Sequence, residues 1–165
     1  MVRWLALAGL IAAADQLVKG WVERVLALGE LVPVLPVLSW VRWHNEGAAF
    51  SILSDAAGWQ RWFFVVLAVA FVAFIVYELR RLPAEHRLMG WVYGLIMGGA
   101  IGNLIDRLQH GYVVDYVLLH YGGYYFPAFN VADMALTAGA VLWIGVMIAE
   151  FRRERQARNT EGSQS

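Results

Sequence analysis

The 165-residue chain has no cysteine, and that removes disulfides, thiolate nucleophiles and cysteine-based metal sites together. The lack is compatible with an oxidising outer face. Charge is scarce, at 16% of residues against roughly 25% for a soluble domain. The 13 basic and 13 acidic residues cancel, so nothing in the charge balance points to a nucleic-acid partner. Sequence motifs for common chemistries are also absent. There is no Gly-x-Ser-x-Gly, no His-Glu-x-x-His and no glycine loop preceding a phosphate-binding lysine. The four histidines, His44, His86, His110 and His120, are scattered, and no metal site or cofactor is expected.

What is abundant is apolar sequence, 60% of residues with a mean hydropathy of +0.54. It is gathered into long runs, so the class is an integral membrane protein of one domain, residues 1–165. Four spans are expected, at about residues 4–22, 62–79, 88–105 and 131–149, with a polar tail over 152–165 that is disordered from Gln156. Arg3, the following apolar stretch and Ala12–Ala13–Ala14 also have the form of a cleavable signal peptide. Cleavage there would leave three spans and an exposed Asp15, and the four-span reading is preferred. Arginines cluster at the N-terminus, between spans 2 and 3 (Arg80, Arg81, Arg87) and in the tail (Arg152, Arg153, Arg155, Arg158), which predicts both termini in the cytoplasm.

With that orientation the informative polar residues all fall on the outer half. Asp15 and Lys19, four apart, share a helix face as an ion pair or as a scaffold beneath a site. Asn45–Glu46–Gly47–Ala48–Ala49–Phe50 suits either a plain turn or a close backbone approach to a ligand. Asn103 and Asp106 share a face at the end of span 3, beside Arg107, which pairs with outer residues or meets lipid phosphate. Asp115 lies in Val113–Val114–Asp115–Tyr116, and Asp133 follows Asn130 and Ala132 at the start of span 4. An ionised carboxylate near lipid costs roughly 2.5–3.5 kcal/mol. Two apolar-set carboxylates brought together would share one proton and activate water. Spacing leaves open the plainer alternative of two separate interfacial charges.

Between spans 1 and 2, Leu31–Leu38 is β-prone but broken by prolines, and Ser39–Trp43 alternates as a short strand. Ser54 or Asp55 could cap a short interfacial helix through Trp59 and Trp62. The expected fold class is therefore an all-α membrane protein of four transmembrane helices, with a small, partly β outer platform and a short interfacial helix. Gly94, Gly98 and Gly102 form a small-residue stripe on span 3 for close helix packing.

Five blocks together resemble the lipoprotein signal peptidase family, also called signal peptidase II. They are Asp15–Gln16–x–x–Lys19, Asn45–x–Gly47–Ala48–Ala49–Phe50, Gly102–Asn103–x–x–Asp106–Arg107, Val113–Val114–Asp115, and Phe126–Pro127–Ala128–Phe129–Asn130–x–Ala132–Asp133. The resemblance runs from about Asp15 to Gly139. It implies an aspartyl endopeptidase of the bacterial inner membrane with its active site near the periplasmic face. The implied substrate is a diacylglyceryl-modified prolipoprotein, cut just before the lipidated cysteine. Asp115 and Asp133 match the catalytic dyad. Asp15, Lys19, Asn45, Gly47, Asn103, Asp106, Arg107, Asn130 and Ala132 match positions that support the site or contact substrate. Membrane lipid, a monomeric state and inhibition by globomycin-type compounds are further expectations. Val18 and Glu46 depart from residues common in the family, Ser or Thr and Thr respectively. A small ion-coupled carrier is the rival class, disfavoured by the lack of a repeat or a broken helix. A non-catalytic assembly factor holding a partner helix is a third.

Overall fold

The computed structural model describes residues 1–47 and 59–162. Four helices carry the apolar runs: α1 (Val2–Val25), α2 (Trp59–Arg81), α3 (Arg87–Gln109) and α4 (Val131–Gly162). All four are long and apolar enough to cross a membrane. At 1.5 Å per residue each exceeds the ~30 Å hydrocarbon core. Each therefore runs past the expected span at one or both ends, because hydrogen bonding continues into the interfacial residues that hydropathy excludes.

The largest departure is the tail. Residues expected to be disordered from Gln156 continue α4 to Gly162. Glu, Arg and Gln are good helix formers, and Glu154 and Arg158 stand at i,i+4. Trp62, expected at the start of span 2, lies in α2, and Trp59, read as part of a short interfacial helix reaching Trp62, belongs to the start of α2 as well. Ser54, Asp55 and the Ala48–Ala49–Phe50 part of the second motif lie outside the described residues.

Helix α3 is the central element and packs against the other three helices. Its glycines make that possible. A Cβ on Gly98 would stand 2.8 Å from the Ile11 side chain, and one on Gly99 would collide with the Ala132 carbonyl. Away from the site the core is apolar: Trp4, Ala8, Ile75, Leu79, Val92, Ile96 and Met97. Gly102 is the stripe position nearest the polar residues. A Cβ there would sit 2.7 Å from Asp15 Oδ2 and 3.1 Å from the Ala132 methyl. Gly102→Ala is expected to cost about 1–3 kcal/mol, as overpacking does. Gly9→Ala, with nothing within 4 Å, is expected to be neutral or slightly stabilising. Paired thermal unfolding in one detergent checks the contrast.

The platform is a four-stranded sheet in the order β1 (Leu31–Leu35), β2 (Leu38–Asn45), β3 (Val113–Tyr121) and β4 (Tyr124–Tyr125). All its pairings are antiparallel. β1 is an exposed edge strand whose register shifts between Pro33 and Leu35, the place where a missing N–H is tolerated. The sequence reading did not anticipate β3. It is the most buried strand, with Val113, Val114, Asp115, Tyr116 and Leu118 all covered. Burial on both faces produces a continuous apolar run rather than the alternation used to recognise strands. Arg42 ties this sheet to α1, its guanidinium donating to the Glu23 and Leu26 carbonyls at 3.2 Å each.

Candidate active site

Two layers of polar residues meet where the sheet lies against α1, α3 and α4. The deeper layer is an ion cluster. Lys19 Nζ stands 2.7 Å from Asp15 Oδ2 and 2.9 Å from Asp106 Oδ2, with all three residues at most 2% exposed. Its third donor goes to Asn103 Oδ1 at 3.0 Å. Gln16 Nε2 donates to Asp106 Oδ1 at 2.6 Å, closing the ring. The remaining acceptors hold backbone from other elements. Asp15 Oδ1 accepts from the Ala132 N–H of α4 at 2.9 Å, and Asp106 Oδ2 accepts from the Val114 N–H of β3 at 3.0 Å. A buried charge is tolerated only when it is paired and hydrogen-bonded. Here satisfying those charges fixes α1, α3, α4 and β3 relative to one another.

The upper layer holds Asp115 and Asp133. Asp115 Oδ1 accepts from Asn130 Nδ2 at 2.7 Å and its Oδ2 from Asn45 Nδ2 at 3.0 Å. Asp133 Oδ1 accepts from Asn103 Nδ2 at 2.8 Å and its Oδ2 from the Asn130 N–H at 3.2 Å. Asn130 Oδ1 accepts from the Asp133 N–H at 2.9 Å, so Asn130 and Asp133 form a reciprocal capping box at the N-terminus of α4. One asparagine thus fixes both carboxylates, through its amide side chain on one and its backbone on the other. Asn103 links the two layers, accepting from Lys19 and donating to Asp133.

Burial pushes the Asp115 carboxyl up to about 7, and the nearby charge of Asp133 adds to the rise. The Asn45 and Asn130 donors and the charge of Lys19 act the other way but do not cancel it. Close like charges and desolvation both favour the neutral acid. Both aspartates line a cavity of about 1040 Å³ between the sheet and α4, walled by apolar residues including Phe126, Pro127, Phe129 and Met134. Asn45, Gly47, Asn103 and Arg107 line the same cavity. Arg107 is held inside the protein. Its guanidinium donates to the Gly47 carbonyl at 3.1 Å and to the Asn103 carbonyl at 3.4 Å, and lies over the Phe64 ring at 4.9 Å. Gly47 N–H in turn donates to Asn45 Oδ1 at 3.1 Å.

Each of the eleven residues singled out from sequence stands in one of these layers or contacts it. Two contributors escaped the sequence reading as site residues. Gln16 stood in the Asp15–Gln16–x–x–Lys19 block without a role assigned to it. Tyr116 is wholly buried, stacks on Trp40 at 5.6 Å and accepts the Val131 N–H at 3.1 Å, bracing the start of α4 against β3. Its position next to Asp115 was the available signal.

Four helices long and apolar enough to cross a membrane, with a buried acidic cluster and a cavity beside it, define a multi-pass membrane protein. The model of the Peptidase A8 family, described as signal peptidase (SPase) II, matches residues 7–149. A lipoprotein signal peptidase of Shewanella woodyi is 48% identical over 143 residues, covering 87% of this chain and 81% of that protein. A lipoprotein signal peptidase of Shewanella halifaxensis is 42% identical over 161 residues, covering 98% and 93%. A solved structure described as a bacterial membrane enzyme superposes with a TM-score of 0.82 at 30% identity, covering 92% of this chain and 90% of that one. The chain belongs to the signal peptidase II family.

Proposed function

We propose that the chain is an aspartyl endopeptidase that removes the signal peptide from diacylglyceryl-modified prolipoproteins, cutting just before the lipidated cysteine. The observation that carries this reading is the placing of Asp115 and Asp133 on one asparagine, facing one largely apolar cavity. The relatives' name, lipoprotein signal peptidase, supports prolipoprotein signal peptides as the substrate class, and the lipid modification and cut site rest on the motif resemblance.

In the proposed reaction the two carboxylates share one proton. Asp115, with its raised pKa, holds it. Asp133 is the base and takes a proton from water as the water oxygen attacks the scissile carbonyl. Asp115 gives its proton to the carbonyl oxygen, yielding a neutral gem-diol. The proton taken by Asp133 then passes to the leaving amine, the C–N bond breaks, and the diol proton returns to Asp115. Asn45 and Asn130 keep the Asp115 carboxyl aimed, and the Lys19 cluster holds the base of the site rigid. No metal or cofactor enters this scheme.

The arginine distribution supports a multi-pass protein of the bacterial inner membrane, both termini cytoplasmic and the cavity near the periplasmic face. The protein acts as a monomer of one domain, and globomycin-type compounds occupy the same cavity. Cleavage of diacylglyceryl-modified precursor but not of the unlipidated precursor is the expected result in detergent. Equal cleavage of both would refute the substrate assignment.

The raised Asp115 pKa gives a pH dependence with a defined sign. The protonated form is present below about 7 and is lost as pH rises through it. A descending alkaline limb in the kcat/KM profile, which reports the free enzyme, is therefore expected near neutrality. A rate that climbs without a limb from acidic to alkaline pH would assign the proton elsewhere. Arg107→Ala removes a charged donor from the Gly47 carbonyl, and KM is expected to rise roughly tenfold with kcat changed much less. Steady-state kinetics showing unchanged KM with collapsed kcat would contradict this.

A further inference from the structure

We infer that the β3–β4 hairpin inserts its tip into the lipid headgroup layer and thereby anchors one wall of the cavity. The turn is Gly122–Gly123, both at positive φ (55° and 87°), joining Tyr121 to Tyr124 in the tight form that matches strand twist. The residues that a hairpin in water would use to cover its tip are replaced by aromatics. Tyr121, Tyr124, Tyr125 and Phe126 are 79%, 83%, 64% and 58% exposed. From Tyr116 to Ala132 there is no Asp, Glu, Lys or Arg.

Tyrosine presents an apolar ring and a polar hydroxyl, and is enriched where one end of a side chain meets hydrocarbon and the other water. The occupant favoured here is lipid because the hairpin is continuous with a surface that already meets it. The Val117–Phe129 bridge fastens β3 to the segment leading directly into α4, a membrane-crossing helix. Phe126, at the root of the hairpin, is itself a lining residue of the cavity. Lipid holding the tip would therefore hold that wall.

The cysteine-free chain makes the test direct. Single-cysteine variants Tyr124→Cys, Val69→Cys and Glu85→Cys carry an environment-sensitive fluorophore, in the full chain reconstituted at one copy per nanodisc of phosphatidylcholine and phosphatidylglycerol. Val69 is an exposed position in the middle of α2, and Glu85 lies in the α2–α3 connection outside the spans. The Tyr124 label is expected to be quenched by headgroup-proximal spin-labelled lipid about threefold more than the Glu85 label, while the Val69 label responds to deep-chain spin label. Iodide quenching of the Tyr124 label equal to that at Glu85 would overturn the inference. Protection of Tyr124 that arises only when two copies share a bilayer would overturn it in favour of a self-contact. The readout involves no cleavage, so it stands or falls separately from the proposed reaction.

Discussion

Lys19→Met is expected to destabilise the folded protein by about 3–5 kcal/mol, the range for breaking one partner out of a buried ion cluster. The substitution keeps an unbranched apolar stem one atom shorter and removes the charge with its donors. Asp15 and Asp106 would then face each other, 0% and 1% exposed, with no cation between them. Exposed ion pairs are worth about 0–1 kcal/mol, so the size of the effect separates a buried cluster from an interfacial pair. The loss should be partly recovered in Lys19→Met/Asp106→Asn, which removes one of the two stranded charges. Thermal unfolding in detergent reads both. A single-variant loss below about 1 kcal/mol would mean the cluster is solvated.

Asp115→Asn and Asp133→Asn are expected to behave in the opposite way, with stability largely kept and turnover lost. At Asp115 the new amide can accept from only one of the two asparagine donors, and the other then faces an N–H. One lost buried hydrogen bond costs about 1–3 kcal/mol, which a folded membrane bundle survives. Catalysis loses more. Positioned proton transfer contributes on the order of 10²–10⁴-fold, and neither amide can take or give the proton the scheme needs. The fall should appear in kcat, with KM little changed, since the apolar walls of the cavity are untouched.

The spans were legible in the sequence because hydrocarbon demands unbroken apolar runs, and runs survive reading in one dimension. The glycine stripe was legible for a related reason, since its spacing is the helix repeat. The pairing of Asp15 with Lys19 followed from their spacing of four, but the partnership of Lys19 with Asp106 did not, because it joins separate helices. Arg107 illustrates the same limit. Its type and position allowed either a lipid phosphate or internal partners, and the structure gives it two carbonyls and a ring. β3 was missed because complete burial erased its alternation, and with it went the reason Asp115 is held so rigidly. Spacing alone left open whether Asp115 and Asp133 meet. Their meeting depends on a capping box, a β-bridge and a tyrosine hydroxyl, each joining residues through geometry that no periodicity encodes.

The most direct measurement is single-turnover cleavage of diacylglyceryl-modified prolipoprotein by wild type, Asp115→Asn and Asp133→Asn in one detergent, each first shown to unfold at a similar temperature. The account predicts cleavage before the lipidated cysteine by wild type and none by either variant. Cleavage at wild-type rate by either variant would remove that aspartate from the chemistry and contradict the shared-proton mechanism.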